Sequence, residues 1–293
     1  MKSQGPSALR ALMNAPGIIV QPAIYNGLSA RIAEDCGFKA IGLGGYAMGA
    51  SMAVSEPLLS LEDVARFTRE VTTVSSLPVM VDIGTGYGEP VHVRHSVRSI
   101  ENAGGAAVHI EDQWYPKRVH YHQGVEHVVP LDEMLMRVEA AVKGRRDDDF
   151  VICARTDAMR TDGYEEGIRR AAACMEAGAD CIMMFPNNEE ETRQAPKDLP
   201  GVPLVYVNSS GNRLNRGVFN TALLEEWGWK MASDAIATTN VTARALRATL
   251  SALAGTGETG LDGEEMRATR KYVEDVIGLD ELYDIERRTV EHD

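Results

Sequence analysis

The sequence predicts a closed (β/α)8 barrel of parallel strands. Three observations carry that prediction. Short apolar runs alternate with amphipathic stretches almost from end to end of the 293 residues. Runs such as Pro-Val-Met-Val and Cys-Ile-Met-Met-Phe are apolar throughout, as strands covered on both faces must be. Eight strand-plus-helix units fit into about 250 residues, which is the arithmetic of a closed barrel with right-handed crossovers. A doubly wound open sheet also alternates strand and helix, but its GxGxxG fingerprint after the first strand is missing.

Taken in order, the first apolar run, Gly17–Ile24, is backed by the amphipathic stretch Tyr25–Cys36. Ala40–Gly45 follows as a strand, with Leu61–Val74 as its helix, then Pro78–Ile83 with His92–Ala103 and Ala106–Asp112 with Leu131–Val142. The second half repeats the pattern: Phe150–Thr156 with Tyr164–Ala177, Cys181–Pro186 with Glu189–Arg193, Pro203–Asn208 with Asn220–Trp227, and Lys230–Ala235 with Thr239–Leu253. Several of these helices open on polar residues suited to capping. Within Gly163–Gly178 the apolar positions Ile168, Ala171, Ala172 and Met175 recur every three to four residues, the spacing of a helix that lays one face on a sheet. The barrel is expected over residues 1–255 and a helical extension over 256–293. That charge-rich tail carries a stripe of Met266, Tyr272, Val273, Val276, Ile277, Leu279, Leu282 and Tyr283. Such a stripe needs a partner surface, either the same barrel or a neighbouring subunit, and periodicity does not distinguish the two.

Apolar residues make up 44% of the chain and charged residues 25%, with 27 Gly and 12 Pro, which excludes disordered, collagen-like and mucin-like readings. Thirty Lys and Arg against 43 Asp and Glu leave a net charge of −13. No basic patch interrupts that balance, so neither nucleic acid nor an anionic membrane is an expected partner. The four cysteines (Cys36, Cys153, Cys174, Cys181) show no CxxC and no zinc-type spacing, and are expected to be small buried thiols in a reducing compartment. The N-terminal segment lacks a signal-peptide pattern, and nowhere do about 18 uncharged apolar residues run together. A soluble, cytoplasmic protein is expected.

In a barrel of this kind the site lies at the carboxyl ends of the strands. There the chain places Gly44, Gly45 and Tyr46 after strand two, Asp82 and the loop Gly84-Thr85-Gly86-Tyr87-Gly88 after strand three, and His109, Glu111, Asp112 and Gln113 at strand four. Arg155, Thr156 and Asp157 end strand five, Asn187 and Asn188 strand six, and Asn208, Ser209 and Ser210 strand seven. Asp82 and Glu111, on adjacent strand ends, repel unless a cation lies between them. Hard carboxylate oxygens without thiolate or imidazole partners select Mg²⁺ or Mn²⁺. Arg155 offers a planar fork for a substrate carboxylate, although an ion pair with Asp157 or Glu111 is a competing use of it. Asn208, Ser209 and Ser210 suit the other end of an acidic ligand, and Gly44-Gly45 presents unobstructed backbone N–H groups. The stretch Trp114–Val129 reads as a flap over the mouth, with His120 or His122 as a proton donor that closes over the substrate.

These residues resemble the isocitrate lyase and phosphoenolpyruvate mutase superfamily. The matching segments are GGYAMGAS, SLPVMVDIGTGYG, AGGAAVHIEDQ, PKR, DDDFVICARTDA and EAGADCIMMFP, in the family's order from about residue 17 to about residue 245. The resemblance implies a barrel whose last helix is exchanged between subunits, in tetramers or dimers, and Mg²⁺ chelated by a 2-oxo or 2-hydroxy carboxylate. It also implies making or breaking a bond next to a carboxylate through an enolate-like state. Position by position, Asp82 resembles the central metal aspartate, Glu111 the acid that holds metal-bound water, Arg155 the carboxylate-binding arginine and Asn208 a substrate-binding asparagine. Gly44-Gly45 resembles the loop that contacts the substrate carboxylate.

The departures from the family pattern are equally specific. The second acid of the strand-three motif is replaced by Gly84, and the flap reads Lys117-Arg118-Val119-His120-Tyr121, with Val119 where lyases carry a cysteine acid. Gly42 replaces a tyrosine, Gly44 a serine, and Asn187 a glutamate after Phe-Pro. Glu56 is the one stand-in for a further metal-shell aspartate, offset by one position. The resemblance therefore implies a Mg²⁺-dependent carbon–carbon lyase that cleaves a 2-hydroxy di- or tricarboxylate, with His120, Tyr121 or His122 replacing the cysteine. Its alternatives are a 2-oxo acid decarboxylase or hydrolase, a phosphonate-bond enzyme, or a carboxylate-binding relative without catalysis. Tyr46, Met48, Trp114, Tyr115, Tyr206 and Asn187 are expected over the mouth as selectivity positions.

Overall fold

The computed structural model describes residues 5–212 and 214–290, and across them the expected barrel is present. Its strands are β1 (Ile19–Pro22), β2 (Ile41–Leu43), β3 (Val79–Asp82), β4 (Ala107–Glu111), β5 (Val151–Arg155), β6 (Cys181–Met184), β7 (Leu204–Val207) and β8 (Met231–Asp234). All are parallel, in the order β1-β8-β7-β6-β5-β4-β3-β2. The ring closes where Ala23 bridges Gly42 and the Ile24 N–H donates to the Gly42 carbonyl at 2.8 Å.

The helices are α1 (Gly5–Asn14), α2 (Gly27–Asp35), α3 (Gly45–Ser51), α4 (Leu61–Val74), α5 (Pro90–Asn102), α6 (Leu131–Val142) and α7 (Ala158–Thr161). They continue with α8 (Tyr164–Glu176), α9 (Glu189–Asp198), α10 (Thr221–Trp227), α11 (Ala237–Thr256), α12 (Gly263–Val276) and α13 (Leu279–Thr289). Capping explains the clean starts: the Asn26 and Ser60 side chains each accept from the backbone N–H three residues on, and their own backbone N–H groups donate to the side chains of Ser29 and Asp63, closing capping boxes on α2 and α4. Helices α1 and α3 lie outside the eight-unit pattern. Helix α3 is seven residues long and begins on glycine, a poor helix former, so propensity conceals it. Burial of Ala47 and Met48 holds it in place.

Period-two alternation along the strands sorts the core into two layers. Val79, Val81, Val108, Ile110, Ile152 and Ile182 point outward into the layer beneath the helices. Met80, Cys153, Cys181, Met183, Val205 and Met231 point into the lumen, where Leu9 and Met13 of α1 join them. Helix α1 closes the amino end of the barrel, because Arg10 pairs with Asp180 at 2.7 Å and reaches the Phe150 carbonyl, both just ahead of strands. The lumen is therefore filled below and open above, where the strands end.

The tail partly returns to its own barrel. Helix α12 packs on α2 through buried Val276, with Tyr272 donating to Asp35 at 3.0 Å and Arg31 to the Val276 carbonyl at 3.1 Å. Ile277, Leu282, Tyr283 and Ile285 remain exposed, as do Val241, Leu246, Leu250 and Leu253 of α11, a 20-residue helix with no buried residue. The last three residues of the expected extension lie outside the described residues. One expectation is corrected here: Cys153, Cys174 and Cys181 are buried free thiols, but Cys36 is exposed, because it caps the solvent end of α2. Among the described residues, no helix is long and apolar enough to cross a membrane.

Candidate active site

The upper lumen opens as a cavity of about 340 Å³. Strand parity decides which side chains reach it. Met80 and Asp82, His109 and Glu111, Cys153 and Arg155, and Met183 and Phe185 alternate with residues that face the helices, so each inward pair ends in the residue nearest the mouth. Asp82 is held by backbone donors, accepting from Gly84 N–H at 2.8 Å and Gly45 N–H at 3.1 Å. Burial works to raise its pKa, but His109, Lys117 and Arg155 together with the Gly84 N–H outweigh it and hold the carboxyl down to about 2. His109 lies on the same wall, its Nδ1 3.6 Å from Asp82 and without a hydrogen-bond partner.

Glu56, which opens a 3-10 turn after α3, shares the space above Gly45 with Asp82: a Cβ at Gly45 would stand 3.1 Å from the Asp82 carboxylate and 3.2 Å from that of Glu56. Only glycine leaves that gap open. Lys117, from the flap, bridges Glu56 and Glu111, contacting Glu111 at 2.8 Å, and its ammonium sits 4.4 Å from the centroid of the Tyr121 ring. Glu111 is fully buried and also pairs with Arg155 at 3.0 Å. Burial pushes its pKa up despite both cations. Arg155 in turn holds Asp157 at 3.0 Å, which also accepts from Gln113 at 2.6 Å and Arg160 at 3.0 Å. Behind the wall, Asp112 receives Thr156, the Asp157 N–H and Arg170, tying the ends of β4 and β5 together.

The flap folds back as a loop: Gln113 bridges Val128, Trp114 stacks on His127 at 4.5 Å, and Val119–Gln123 forms a 3-10 turn. Tyr121 and His122 of that turn line the cavity, and His122 Nε2 lies 2.9 Å from Ser55 Oγ. His120 is exposed and does not line it.

The residues singled out from sequence thus divide. Gly44, Gly45, Tyr46, Asp82, Arg155, Tyr121 and His122 line the cavity. Glu111 has the inward parity but is fully buried in ion pairs with Lys117 and Arg155 and does not line the cavity. Asn208 and Ser210 fall on the outward parity of β7, whereas Val207 and Ser209 face inward. The Asn208 amide is spent on Phe219, donating to its carbonyl at 2.7 Å and accepting its N–H at 2.9 Å. Asn187 leaves the wall after Pro186 and donates to the Met159 carbonyl. Met48 and Tyr206 are buried in the outer layer rather than over the mouth. His109 and Ser209, both named at strand ends from the sequence, take the inward parity and line the cavity. Nothing local in the sequence points to the reach of Lys117 from the flap, or to Arg160 and Arg216, which complete the cavity wall.

The donor set fits a hydrated hard cation. Such an ion needs one or two carboxylates and keeps most of its waters. Asp82 is ionised, faces the cavity and has one backbone donor per oxygen, with Glu56 above the same glycine. Among the described residues no cluster of three or more His, Cys, Asp or Glu side chains forms an all-protein cage.

A family model described as phosphoenolpyruvate phosphomutase matches residues 9–254. The chain is 41% identical over 197 residues to the probable 2-methylisocitrate lyase 2 of Corynebacterium glutamicum, covering 66% of this chain and 64%, just under two thirds, of that protein. It is 35% identical over 287 residues to the 2-methylisocitrate lyase of Aeropyrum pernix, covering 97% and 89%. Among solved structures, oxaloacetate acetylhydrolase in complex with 3,3-difluorooxalacetate superposes with a TM-score of 0.90 at 29% identity, covering 100% and 99%. Phosphonopyruvate hydrolase with oxalate and Mg²⁺ gives 0.84 at 27% identity, covering 99% and 100%.

Proposed function

The chain belongs to the isocitrate lyase/phosphoenolpyruvate mutase superfamily of enzymes, and from that premise we propose that it is a Mg²⁺-dependent carbon–carbon lyase. Its substrate is a 2-hydroxy dicarboxylate or tricarboxylate, which it cleaves to a 2-oxo acid and a second carboxylate. The observation that carries this reading is the ionised Asp82 on the cavity wall, beside Glu56 and at the same mouth as Arg155.

Asp82 would hold the ion, with Glu56 and, through water, Glu111 around it, and the bound ion supplies Lewis-acid polarisation of the substrate's 2-oxygen and carboxylate. Cleavage removes the hydroxyl proton, breaks the neighbouring C–C bond, and leaves its electron pair on the departing fragment as an enolate-like carboxylate. Glu56 takes the hydroxyl proton. Arg155 keeps its charge between Glu111 and Asp157 and steadies the substrate carboxylate. His122, the flap imidazole on the cavity wall, returns a proton to the departing carbon. Burial and the neighbouring Glu56 push the Tyr121 pKa up, so its phenol stays protonated and serves to position Glu56 and Lys117.

The test is direct. Purified protein with Mg²⁺ and a panel of 2-hydroxy dicarboxylates should release a 2-oxo acid, and His122→Asn should lower kcat by about 10²-fold with KM little changed. Normal turnover in that variant would remove the flap histidine from the chemistry. A second reading, hydrolysis of a 2-oxo dicarboxylate, is favoured by the likeness to oxaloacetate acetylhydrolase and by Val119 in place of a flap thiol.

The same reading extends to assembly. The exposed apolar positions of α11 and of the extension are proposed as the interface with a second copy of the chain, with the end helices exchanged. Sedimentation should show an oligomer that Leu246→Glu with Leu250→Glu converts to monomer. A monomeric unmodified protein would end this part of the proposal.

A further inference from the structure

The cavity has an acidic pole and a basic one. Asp82 and Glu56 form the first, beside β2 and β3, whereas Arg155, Arg160 and Arg216 line the wall built by β5 to β7 and their loops. The three guanidinium carbons lie 4.8, 3.8 and 5.2 Å from the centroid of one ring, Phe185. Like charges gathered around one ring repel, and an anion placed among them relieves that repulsion. The protein's own anions reach part of the cluster: Asp157 and Glu126 each bond Arg160 Nη1 at 3.0 Å. Arg160 Nε is buried with no hydrogen-bond partner on a side chain only 8% exposed. Burial, with Arg155 and Arg216 alongside and Asp157 opposing them, pulls its pKa down to about 10, which still leaves a cation at neutral pH. Arg216 is fixed from the loop after β7, donating to the Val207 carbonyl at 2.9 Å. Guanidinium groups already set against a ring and pinned by hydrogen bonds lose little freedom on binding a planar anion.

Resting on the lyase reading above, we propose that Arg160 and Arg216, set against Phe185, form a subsite for a second carboxylate at the far end of the substrate. The bond that breaks lies at the Asp82 pole, and the distal carboxylate sets the length and charge of the molecule accepted. A ligand that spans the two poles uses both, whereas an uncharged tail of the same length leaves a buried donor unsatisfied.

Calorimetric titration of the intact protein with Mg²⁺ tests the subsite, using 2-oxoglutarate and 2-oxopentanoate, which have equal chain length and differ in the terminal carboxylate. The dicarboxylate is expected to bind about tenfold to a hundredfold more tightly, the range for a charge-assisted bond. Arg160→Met and Arg216→Met should each erase most of that preference, and Arg216→Lys should restore part of it. Because Arg160 also pairs with Asp157 and Glu126, Arg216→Met and the unmodified protein decide the matter if Arg160→Met fails to fold. Equal affinities in the unmodified protein, or a preference that Arg216→Met leaves intact, overturn the subsite. Oxalate with Mg²⁺ separates the two readings: if oxalate binds and the dicarboxylate is not preferred, the subsite alone falls, whereas if oxalate does not bind, the lyase reading falls and takes the subsite with it.

Discussion

Replacement of Asp82 by Asn is expected to lower Mg²⁺-stimulated release of a 2-oxo acid by about 10²- to 10³-fold, the scale on which a preorganised electrostatic stabiliser acts. Asn keeps the size of the side chain and one oxygen to accept the Gly45 or Gly84 N–H, but loses the charge. The fold is expected to survive at some cost in stability, since His109, Lys117 and Arg155 favour the charge that is removed. Thermal unfolding then separates a lost ligand from a lost structure. EDTA should silence the unmodified protein to the same extent and the variant no further. Because the Asp82 carboxyl is held at about 2, its protonation does not set the acid limb of the activity profile. Full turnover by Asp82→Asn, or by the unmodified protein in EDTA, would remove this carboxylate from its role and the cation with it.

Lys117→Met is expected to have the largest effect on stability, about 3–5 kcal/mol, the cost of breaking one partner out of a buried charge cluster. The ammonium lies between Glu56 and Glu111, both within a wall that solvent scarcely reaches. Without it two carboxylates face each other, and the pKa of Glu111, already raised by burial, rises further. A carboxyl whose folded pKa lies above its unfolded value binds protons more tightly in the folded state. The stability lost in Lys117→Met is therefore greatest at neutral pH and shrinks as pH falls toward about 4.3, the ordinary glutamate value. Adding Glu111→Gln should recover part of the loss, because it removes one of the two carboxylates that Lys117 bridges, leaving Arg155 paired with Asp157. Urea unfolding at pH 5 and pH 8 measures both effects, and a loss under about 0.5 kcal/mol at pH 8, the scale of an ordinary surface change, would show that the bridge holds nothing together.

The barrel was legible because its strands are continuous apolar runs with few competing readings. All eight appear where the apolar pattern places them, trimmed by up to two residues at either end, and Leu61–Val74 and Leu131–Val142 are helices over those same bounds. Of the residues expected at the site, Asp82, Arg155 and Gly44-Gly45, each at a strand end with a side chain or backbone suited to a carboxylate ligand, line the cavity. Asn208, Ser210 and Asn187 do not line it, because polar residues that share a strand end divide between the two faces of the strand. Ser209, between two of them, is the one that turns inward and lines the cavity.

Sequence by itself determined the alternation of apolar and amphipathic segments, and with it the parallel barrel and the mouth at which charged residues collect, because burial on a sheet or under a helix has a fixed period. Tertiary structure alone decided which charges meet. Glu111 looks like a partner of Asp82 along the chain, but a lysine delivered by a loop and an arginine from the next strand hold it in ion pairs, and the same lysine reaches Glu56, which arrives beside Asp82 over a glycine. Charges act through space with a reach of a few ångströms, and which charges come that close is set by the closure of the ring and the folding-back of its loops rather than by any spacing along the chain.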